Sequence, residues 1–509
     1  MAPTLDTSAG PLDCATAMLR RRAPRHWATV ATFCLAGSWA AAAQAFEVEV
    51  DSETTAQGYQ LRNAWGDPVL SRRRFLQTLG LHVVGIGENE NAAASSGLDM
   101  SFHMRMRLDA DFAIQPFESN YADYPSAFVP GLQRAPVDLV IGYFDIRNLA
   151  GGWLSARLGR QIIVDPLGWW SLDGALLRAE LPVFLALEAY GGFEQRAGLP
   201  LSTGRFERDG VWRGDRTSLD ANAYPEFLEA GLAPAHGFVL ESIDLPVVHA
   251  RVAYRRVWNT GKVATSPFSE DRVGMPSTTD GMRISQERLG VSADALVEEL
   301  GALRTGLIHD FPRAQITSWY ATLDGFVTSW LTTGIDVDHV IPTFDGDSIW
   351  SFFSTEPTTT LLGRGDVGLT NRWRLAVAGG VRWVDIESET STTMLDVLGR
   401  ASVRHDHDGG RVGMGSLTDR GERGSRDGVD VFADQWFEDR FLVSGRVSVA
   451  DWRDAMRTDR STTSLGYVLG GGFRVGDETM ARLEWEHDTN ELVGQRYRIL
   501  ASLQLLVSR

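Results

Sequence analysis

The sequence is short of several residue types that commonly supply chemistry. Its two cysteines, Cys14 and Cys34, both fall within the first 45 residues. Lys262 is the only lysine, so 48 of the 49 basic residues are arginines, and any cationic surface must be built from guanidinium groups. No stretch beyond residue 45 offers 18 consecutive apolar residues, which excludes membrane-spanning helices. A G-x-S-x-G nucleophile motif is also missing.

The charge balance excludes another class of partner. The formal net charge is −17, and no local cluster of basic residues stands out. Because nucleic-acid binding depends on a basic patch that meets phosphates, we expect no nucleic-acid partner.

Metal sites are weakly supported by the sequence. Residues 405–408 (His-Asp-His-Asp) offer ligand types, but they precede Gly409 and Gly410 and are typical of a hydrated turn. Four aspartates have oxygen ligands for Ca²⁺ but lack the spacing of a calcium loop; these are Asp336, Asp338, Asp345 and Asp347. We therefore predict no metal, no cofactor and no enzymatic activity.

The N-terminal region has the features of a secretory signal peptide. Four arginines among residues 20–25 precede an apolar run from Trp27 to Ala43, and Ala43-Gln44-Ala45 matches an A-x-A cleavage site. The predicted organisation is a signal peptide over 1–45, a short N-terminal periplasmic segment over 46–72, and a single β domain over 73–509. Residues 71–77 resemble a twin-arginine export motif, an alternative to their assignment as strand.

Residues 371–387 carry the clearest strand pattern. Alternate side chains are apolar with a tryptophan at each end, Trp373 and Trp383, while Arg372, Arg374 and Arg382 occupy the opposite face. The two tryptophans lie roughly 33 Å apart along a strand, and a tilt of about 40° reduces that to roughly 25 Å. This is the height of the apolar band on an outer-membrane barrel, so the pattern predicts a membrane-spanning strand.

The same alternation returns along the chain, including residues 100–112, 248–255, 395–404, 441–449 and 481–488. Residues 291–303 fit either a helix or a strand, and we favour strand. The pattern predicts an all-β, antiparallel, up-and-down transmembrane β-barrel of about 16–20 strands, with polar tracts near 113–136, 196–234, 259–287 and 338–358 as outer loops.

The two faces of the strands define the predicted site. A charge that faces lipid at mid-depth costs about 2–4 kcal/mol, whereas a lumen-facing charge is hydrated. The predicted pore-lining residues are Arg105, Arg107, Asp109, Asp111, Arg157, Arg372, Arg374, Arg382, Arg400, Arg404, Arg446, Arg482, Glu484 and Glu486. Trp373, Trp383 and Trp485 are the predicted aromatic girdle. The alternative is that these charges only pair across strands and stiffen the wall.

Two segments resemble known families. Residues 157–161 (Arg-Leu-Gly-Arg-Gln), with Asp173-Gly174 downstream, resemble a strand of alginate-export-like and related substrate-selective porins of Gram-negative bacteria. The resemblance implies that Arg157 or Arg160 faces the pore, and alternation favours Arg157. The last strand, with Tyr497, Ile499, Leu503 and Val507 on one face, resembles the C-terminal recognition strand of outer-membrane proteins, although the chain ends in Arg509 rather than an aromatic residue.

The sequence therefore predicts a porin-like channel in the bacterial outer membrane, exported through a cleaved signal peptide, that passes small hydrophilic solutes. Its partners would be outer-membrane lipids, the outer-membrane assembly machinery through the last strand, and small polar solutes; a trimer is one expected assembly. Two alternatives stay open: a non-conducting structural or assembly barrel, and a secreted all-β enzyme acting on polysaccharide.

Overall fold

The structure of the chain is a computed structural model. It describes residues 46–86, 97–111, 137–195, 233–260, 263–265, 277–279, 282–343, 356–386, 392–422, 424–454, 461–476, 478–491 and 494–508. The predicted signal peptide (1–45) and residues 344–350, whose acidic and aromatic motif the sequence does not explain, lie outside these ranges.

The described residues form strands and turns. In chain order the first twelve strands are β1 Glu47–Arg62, β2 Pro68–Val84, β3 Asp99–Asp111, β4 Val137–Leu149, β5 Leu154–Asp165, β6 Gly168–Leu181, β7 Leu185–Glu194, β8 Pro234–Ser242, β9 Val248–Asn259, β10 Val263–Thr265, β11 Ser277–Thr279 and β12 Arg283–Val297. The remaining strands are β13 Gly301–Asp310, β14 Gln315–Thr328, β15 Leu331–Val340, β16 Thr358–Gly368, β17 Trp373–Ile386, β18 Thr392–His407, β19 Gly410–Gly421, β20 Gly424–Phe437, β21 Phe441–Asp454, β22 Ser461–Val475, β23 Thr479–Asn490 and β24 Gly494–Ser508.

Twenty-two of these strands close into one antiparallel barrel, here called the wall. Each strand pairs with the next in sequence, and β9 pairs with β12 because β10 and β11 form a separate two-stranded hairpin. The barrel closes where β1 pairs with β24 over fourteen residue pairs, from Glu49↔Ser508 to Arg62↔Gln495. Closure leaves no sheet edge, so every wall strand finds backbone partners on both sides.

The two ends of the barrel differ in their connections. The first strand begins and the last strand ends at the same end, where most connections are turns of a few residues, such as 150–153, 182–184 and 243–247. The long connections after β3, β7, β9 and β15 all lie at the opposite end. Outer-membrane barrels have short periplasmic turns and longer extracellular loops, so we call these the periplasmic and the outer end.

The wall has an apolar face and a polar face. On β7, Leu187 and Phe193 are exposed while Tyr190 on the other face is buried; on β8, Phe238 and Leu240 are exposed while Val239 is buried. A face of exposed large hydrophobic side chains around a closed barrel is the face that contacts lipid. The polar face consequently lines the lumen. No helix among the described residues is long and apolar enough to cross a membrane.

The all-β barrel predicted from the sequence is confirmed, but the strand count was too low. Twenty-two strands form the wall, against the expected 16–20. Residues 71–77 lie in β2, and residues 291–303 lie in β12 and β13 with a short turn between them, so both strand assignments are confirmed.

Residues 46–72 differ from the expected periplasmic segment. Most of them form β1 and the start of β2, so they are part of the wall. The prediction failed because the lipid-side positions of β1 include Ser52, Thr54, Ala56 and Gly58, so this strand lacks apolar alternation. Tertiary pairing with β2 and β24 sets its structure instead.

Candidate functional site

The tip of the β5–β6 hairpin leaves the wall. Pairing between β4 and β5 ends at Gly142↔Arg160, and pairing between β6 and β7 begins only at Leu172↔Glu194. Beyond these points β5 and β6 pair with each other as far as Asp165↔Gly168, and the last backbone bond to a neighbouring strand runs from the Gln195 N–H to the Ser171 oxygen at 2.9 Å. Residues 161–171 are called here the constriction hairpin.

The constriction hairpin lies inside the lumen. Its turn reaches β12, where a side chain at Gly290 would collide with Leu167 and Pro166. Along the wall β12 is the fourth strand beyond β6. The side chains of β7 to β9 that contact the hairpin lie on the lumen side of these strands. The hairpin therefore crosses the interior of the barrel and narrows it.

A buried apolar cluster holds the hairpin against the wall. The hairpin contributes Ile163, Leu167 and Trp170, which are 3%, 7% and 5% exposed. The other members come from β6 to β9 and the residue before β8: Leu172, Leu176, Tyr190, Ala233, Ala235, Val239, Ala253 and Val257, with Ile308 of β13 packed alongside. This burial excludes water from the contact, so the hairpin is packed against the wall.

Arg255 of β9 is a buried cation beneath the hairpin. It is 4% exposed, its guanidinium carbon lies 4.8 Å from the Trp170 ring centroid, and its Nε donates to Gln286 Oε1 at 2.9 Å. A buried guanidinium is costly unless its donors and charge are matched. The ring face of Trp170 and the amide oxygen of Gln286 supply part of that match, while Nη1 finds no hydrogen-bond partner among the described residues, and the two contacts tie β9 and β12 to the hairpin.

Asp165 shapes the turn of the hairpin. Its Oδ1 accepts from the Leu167 backbone N–H at 2.8 Å, and Tyr190 Oη donates to its Oδ2 at 3.3 Å. The first bond is the local side-chain-to-backbone contact typical of Asp in turns. The second connects the turn to β7, so the same carboxylate both forms the turn and anchors it.

A polar network lies on the lumen side of β6 to β9, nearer the periplasmic end. Glu241 of β8 accepts from Arg178 at 2.6 Å and contacts His249 at 2.8 Å and Arg251 at 3.7 Å. Arg251 also donates to the backbone oxygen of Val164 at 3.1 Å, which links this network to the hairpin.

A cavity of about 360 Å³ lies beside this network. It is lined by residues including Asp145, Arg157, Arg178 and Glu188. Arg157, favoured from the sequence for the lumen, lies 4.0 Å from Asp145, with its guanidinium carbon 4.9 Å from the Tyr143 ring centroid.

The second arginine of this motif has a different environment. Arg160 makes a two-point pair with Asp173, at 2.6 and 2.7 Å, and donates to the Leu139 backbone oxygen at 2.7 Å. These contacts lie where the constriction hairpin leaves β4, so they fix the base of the hairpin. The Arg-Leu-Gly-Arg-Gln string and Asp173 thus meet across β5 and β6.

Most of the predicted pore-lining charges are paired with neighbours. The pairs are Arg105 with Asp51 at 3.0 Å, Arg107 with Asp138 at 3.0 Å, Arg382 with Asp419 at 2.9 Å, Arg404 with Asp406 at 3.1 Å, Arg446 with Asp430 at 3.0 Å, Arg482 with Glu484 at 3.0 Å, and Glu486 with Arg496 at 2.5 Å and with Arg498. This arrangement agrees with the alternative that these charges pair with neighbouring side chains and stiffen the wall, because each charge is largely compensated by its partner.

Five further predicted residues fall into three groups. Among the described residues no ion pair involves Arg374 or Arg400. Arg372 lies in the turn before β17 and pairs with Asp408 at 3.0 Å, so it is not a strand residue. Asp109 and Asp111 end β3, but their side chains lie outside what the structure describes.

A second and larger cavity follows the lumen side of β17 to β24 and β1 near the outer end. Its volume is about 1000 Å³. The lining mixes both signs of charge with hydroxyls and two aromatic residues, and includes Arg382, Asp396, Asp419, Arg426, Trp452, Arg453, Asp488, Arg496, Tyr59, Ser448 and Ser464. This polar space lies along strands remote in the wall order from the constriction hairpin.

The predicted girdle residues lie on the lipid side. Trp373 begins β17 at the periplasmic end, is 42% exposed and stacks on His405 with ring centroids 4.4 Å apart. Trp383 shares its face near the outer end of the same strand, opposite the exposed Leu395. Trp485 packs edge-on against Tyr467 at 5.1 Å.

The sequence analysis missed the residues of the constriction hairpin. Ile162, Ile163 and Val164 are consecutive apolar residues, so the alternation of a wall strand fails there, and this signal marks a segment that differs from the rest of the wall. The pattern does not identify which wall strands it contacts. The sequence places Arg255 at the end of the alternating segment 248–255, but it does not indicate that this side chain contacts the hairpin.

The described residues contain no group of three or more His, Cys, Asp or Glu side chains that could hold a metal ion. Within residues 405–408, Asp406 pairs with Arg404 and Asp408 pairs with Arg372. Of the four aspartates considered for Ca²⁺, Asp336 pairs with Arg364 at 2.8 Å, while Asp345 and Asp347 lie outside the described residues.

Together, the fold and the site define a membrane-spanning β-barrel whose polar lumen is narrowed by an inward hairpin. No protein-family model matches the chain, and no curated protein matches it.

Several solved structures are similar in outline. Acinetobacter baumannii OccAB3 has 9% identity and a TM-score of 0.40, covering 91% of this chain and 99% of that chain. Acinetobacter baumannii OccAB4 has 6% identity and a TM-score of 0.41, covering 92% and 99%. Pseudomonas aeruginosa OccK1 (OpdK) has 10% identity and a TM-score of 0.40, covering 91% and 99%. A likeness of this strength assigns neither a family nor a solute to this chain.

Proposed function

We propose that the chain is a diffusion channel of the bacterial outer membrane for small polar solutes. The observation that carries the proposal is the closed wall of 22 strands with exposed apolar side chains outside and charged side chains inside. Barrel diameter grows with strand number, so 22 strands enclose a lumen wider than that of the 16–18-stranded porins, and here the constriction hairpin narrows it.

The hairpin and the wall charges would set selectivity together. Because most of the arginines are compensated by carboxylates, the net field would arise at charges such as Arg374 and Arg400, which form no ion pair within the described part of the chain. Charge rows in a narrow aqueous pore select solutes by sign. Arg157 and the Glu241 network, close to the hairpin, would act at the narrowest level.

The experiment that tests this proposal measures single-channel conductance of the chain beginning at Phe46 after refolding and insertion into a planar bilayer. A salt gradient across the bilayer measures the ion preference. Stable open steps with a defined ion preference support the channel. Insertion without conductance favours the alternative of a non-conducting structural barrel. A protein that stays folded and soluble without detergent would favour the secreted-enzyme alternative, which the exposed apolar outer face does not support.

Export and assembly form the remaining part of the proposal. Cleavage after Ala45 would leave Phe46 at the N-terminus, one residue before β1 begins. Intact-mass measurement of the protein from outer membranes tests this site. Strand β24 would be presented to the assembly machinery, and cross-linking in membranes would show whether the barrels associate as trimers.

A further inference from the structure

The constriction hairpin has two faces with opposite environments. Ile163 and Trp170, which are directly paired, belong to the buried cluster. The next pair toward the turn, Val164 and Trp169, is 64% and 48% exposed. Because side chains alternate along a strand, the second pair points away from the wall contact.

This free face lies in the lumen rather than in lipid. The wall contact is on the lumen side of β7 to β12, so the opposite side of the hairpin faces the interior space. An exposed tryptophan in water is unfavourable, since its large apolar surface stays hydrated. Val164 and Trp169 are directly paired, so together they form a small exposed apolar patch on the hairpin.

The backbone that presents Trp169 is held in place. Arg251 donates to the backbone oxygen of Val164, opposite Trp169, and the adjacent Trp170 is fixed by Arg255. A side chain on an anchored strand loses little further freedom when it binds a ligand, which favours recognition.

We propose that Trp169 is a stacking site for solutes that carry a flat, weakly hydrated ring. Lipids and macromolecules are kept out of the lumen, so the occupant is a solute in transit. The indole face stacks on aromatic rings and on the apolar face of sugar rings. This inference rests on the proposed channel function, and it names the class of solute that would bind at the constriction hairpin.

The first test measures current block by neutral solutes, so that charge plays no part. Nicotinamide supplies an aromatic ring, glucose a sugar ring, and glycerol is the ringless control. We expect at least one ring solute to block the wild-type channel at lower concentration than glycerol. Trp169→Ala should raise its half-blocking concentration on the order of tenfold, and Trp169→Phe should restore most of the block.

Trp65→Ala is the matched control, because Trp65 is 86% exposed but lies in the β1–β2 turn. Block by nicotinamide alone identifies an aromatic solute, and block by glucose alone identifies a sugar. Equal block of wild type and Trp169→Ala, or equal block by glycerol, overturns the stacking site. Heat-dependent gel mobility confirms that each variant has folded.

A second measurement separates the stacking site from the channel. Saturation-transfer NMR detects nicotinamide or glucose binding to the protein in detergent micelles, whether or not current flows. Binding that Trp169→Ala removes, in a protein without conductance, would refute the channel and support the site. Absence of binding together with absence of ring-specific block would refute the site.

Discussion

The guanidinium of Arg255 lies against the ring of Trp170, 4.8 Å from its centroid, although the two residues belong to strands that are not neighbours in the wall. The contact joins β9 to the constriction hairpin in a water-excluded site, where a cation–π interaction is worth about 2 kcal/mol or more. The position of the hairpin in the lumen therefore depends on this pair.

Arg255→Ala should release the hairpin. The variant loses the contact with Trp170 and the hydrogen bond to Gln286, a destabilisation on the order of 3 kcal/mol. We expect a larger mean single-channel conductance with more frequent current steps, measured in planar bilayers. Arg474→Ala is the matched control, because Arg474 makes the same type of contact with Trp436 at 4.5 Å, away from the hairpin. Equal conductance of Arg255→Ala and wild type would contradict the anchoring role.

A disulfide should lock the hairpin to β12. A Cβ at Gly290 would lie 3.1 Å from Pro166 Cβ, close to the separation of about 3.5–4.5 Å in disulfides. The chain beginning at Phe46 has no other cysteine, so Pro166→Cys with Gly290→Cys should cross-link on oxidation and shift mobility on a non-reducing gel. Each single variant is the control. If the double variant keeps both thiols free under oxidant, the hairpin does not reach β12.

Neutralising an arginine that forms no ion pair within the described part of the chain should change ion selectivity more than removing an ion pair. Arg374 has no ion-pair partner among the described residues, whereas Arg446 pairs with Asp430 at 3.0 Å. Arg374→Ala removes a net positive field and should move the reversal potential in a salt gradient toward cation preference. Arg446→Ala combined with Asp430→Ala removes both members of an ion pair, leaves the net charge unchanged, and should move the reversal potential less. Identical reversal potentials for wild type and Arg374→Ala would remove Arg374 from the pore-lining set.

Deletion of β24 should prevent closure of the barrel. This strand pairs with both β1 and β23, so its loss leaves two unpaired edges in lipid. We expect a chain ending at residue 493 to show no heat-dependent gel mobility after refolding. A chain that lacks only the terminal Arg509 is the control and should fold. If the truncated chain still folds and shows heat-dependent mobility, the pairing of β24 with β1 is not required for folding.

The barrel itself was predictable because lipid imposes a simple rule on each strand. Strands such as β3, β17 and β24 place apolar residues at every second position, so the local sequence identifies which side of each strand faces the membrane. Strand β1 escaped detection because it presents small and polar residues at those positions, and only its partners identify it as wall.

The constriction was not predictable from the same rule. Its definition rests on contacts between residues far apart in sequence, such as Leu167 with Gly290 and Trp170 with Arg255. The consecutive apolar run from Ile162 to Val164 interrupts the alternation, but it contains no information about which strands contact Ile163. Likewise the acidic partner of each lumen arginine follows from strand register, which local alternation leaves open.

The departure of residues 161–171 from the wall has a consequence for β4. Beyond Gly142↔Arg160 the strands β4 and β5 separate, so from Val137 to Ile141 β4 pairs with β3 alone. Arg160, bonded to both Asp173 and the Leu139 backbone oxygen, lies at this point of separation. Its guanidinium therefore satisfies a backbone acceptor on the side of β4 that the hairpin has left.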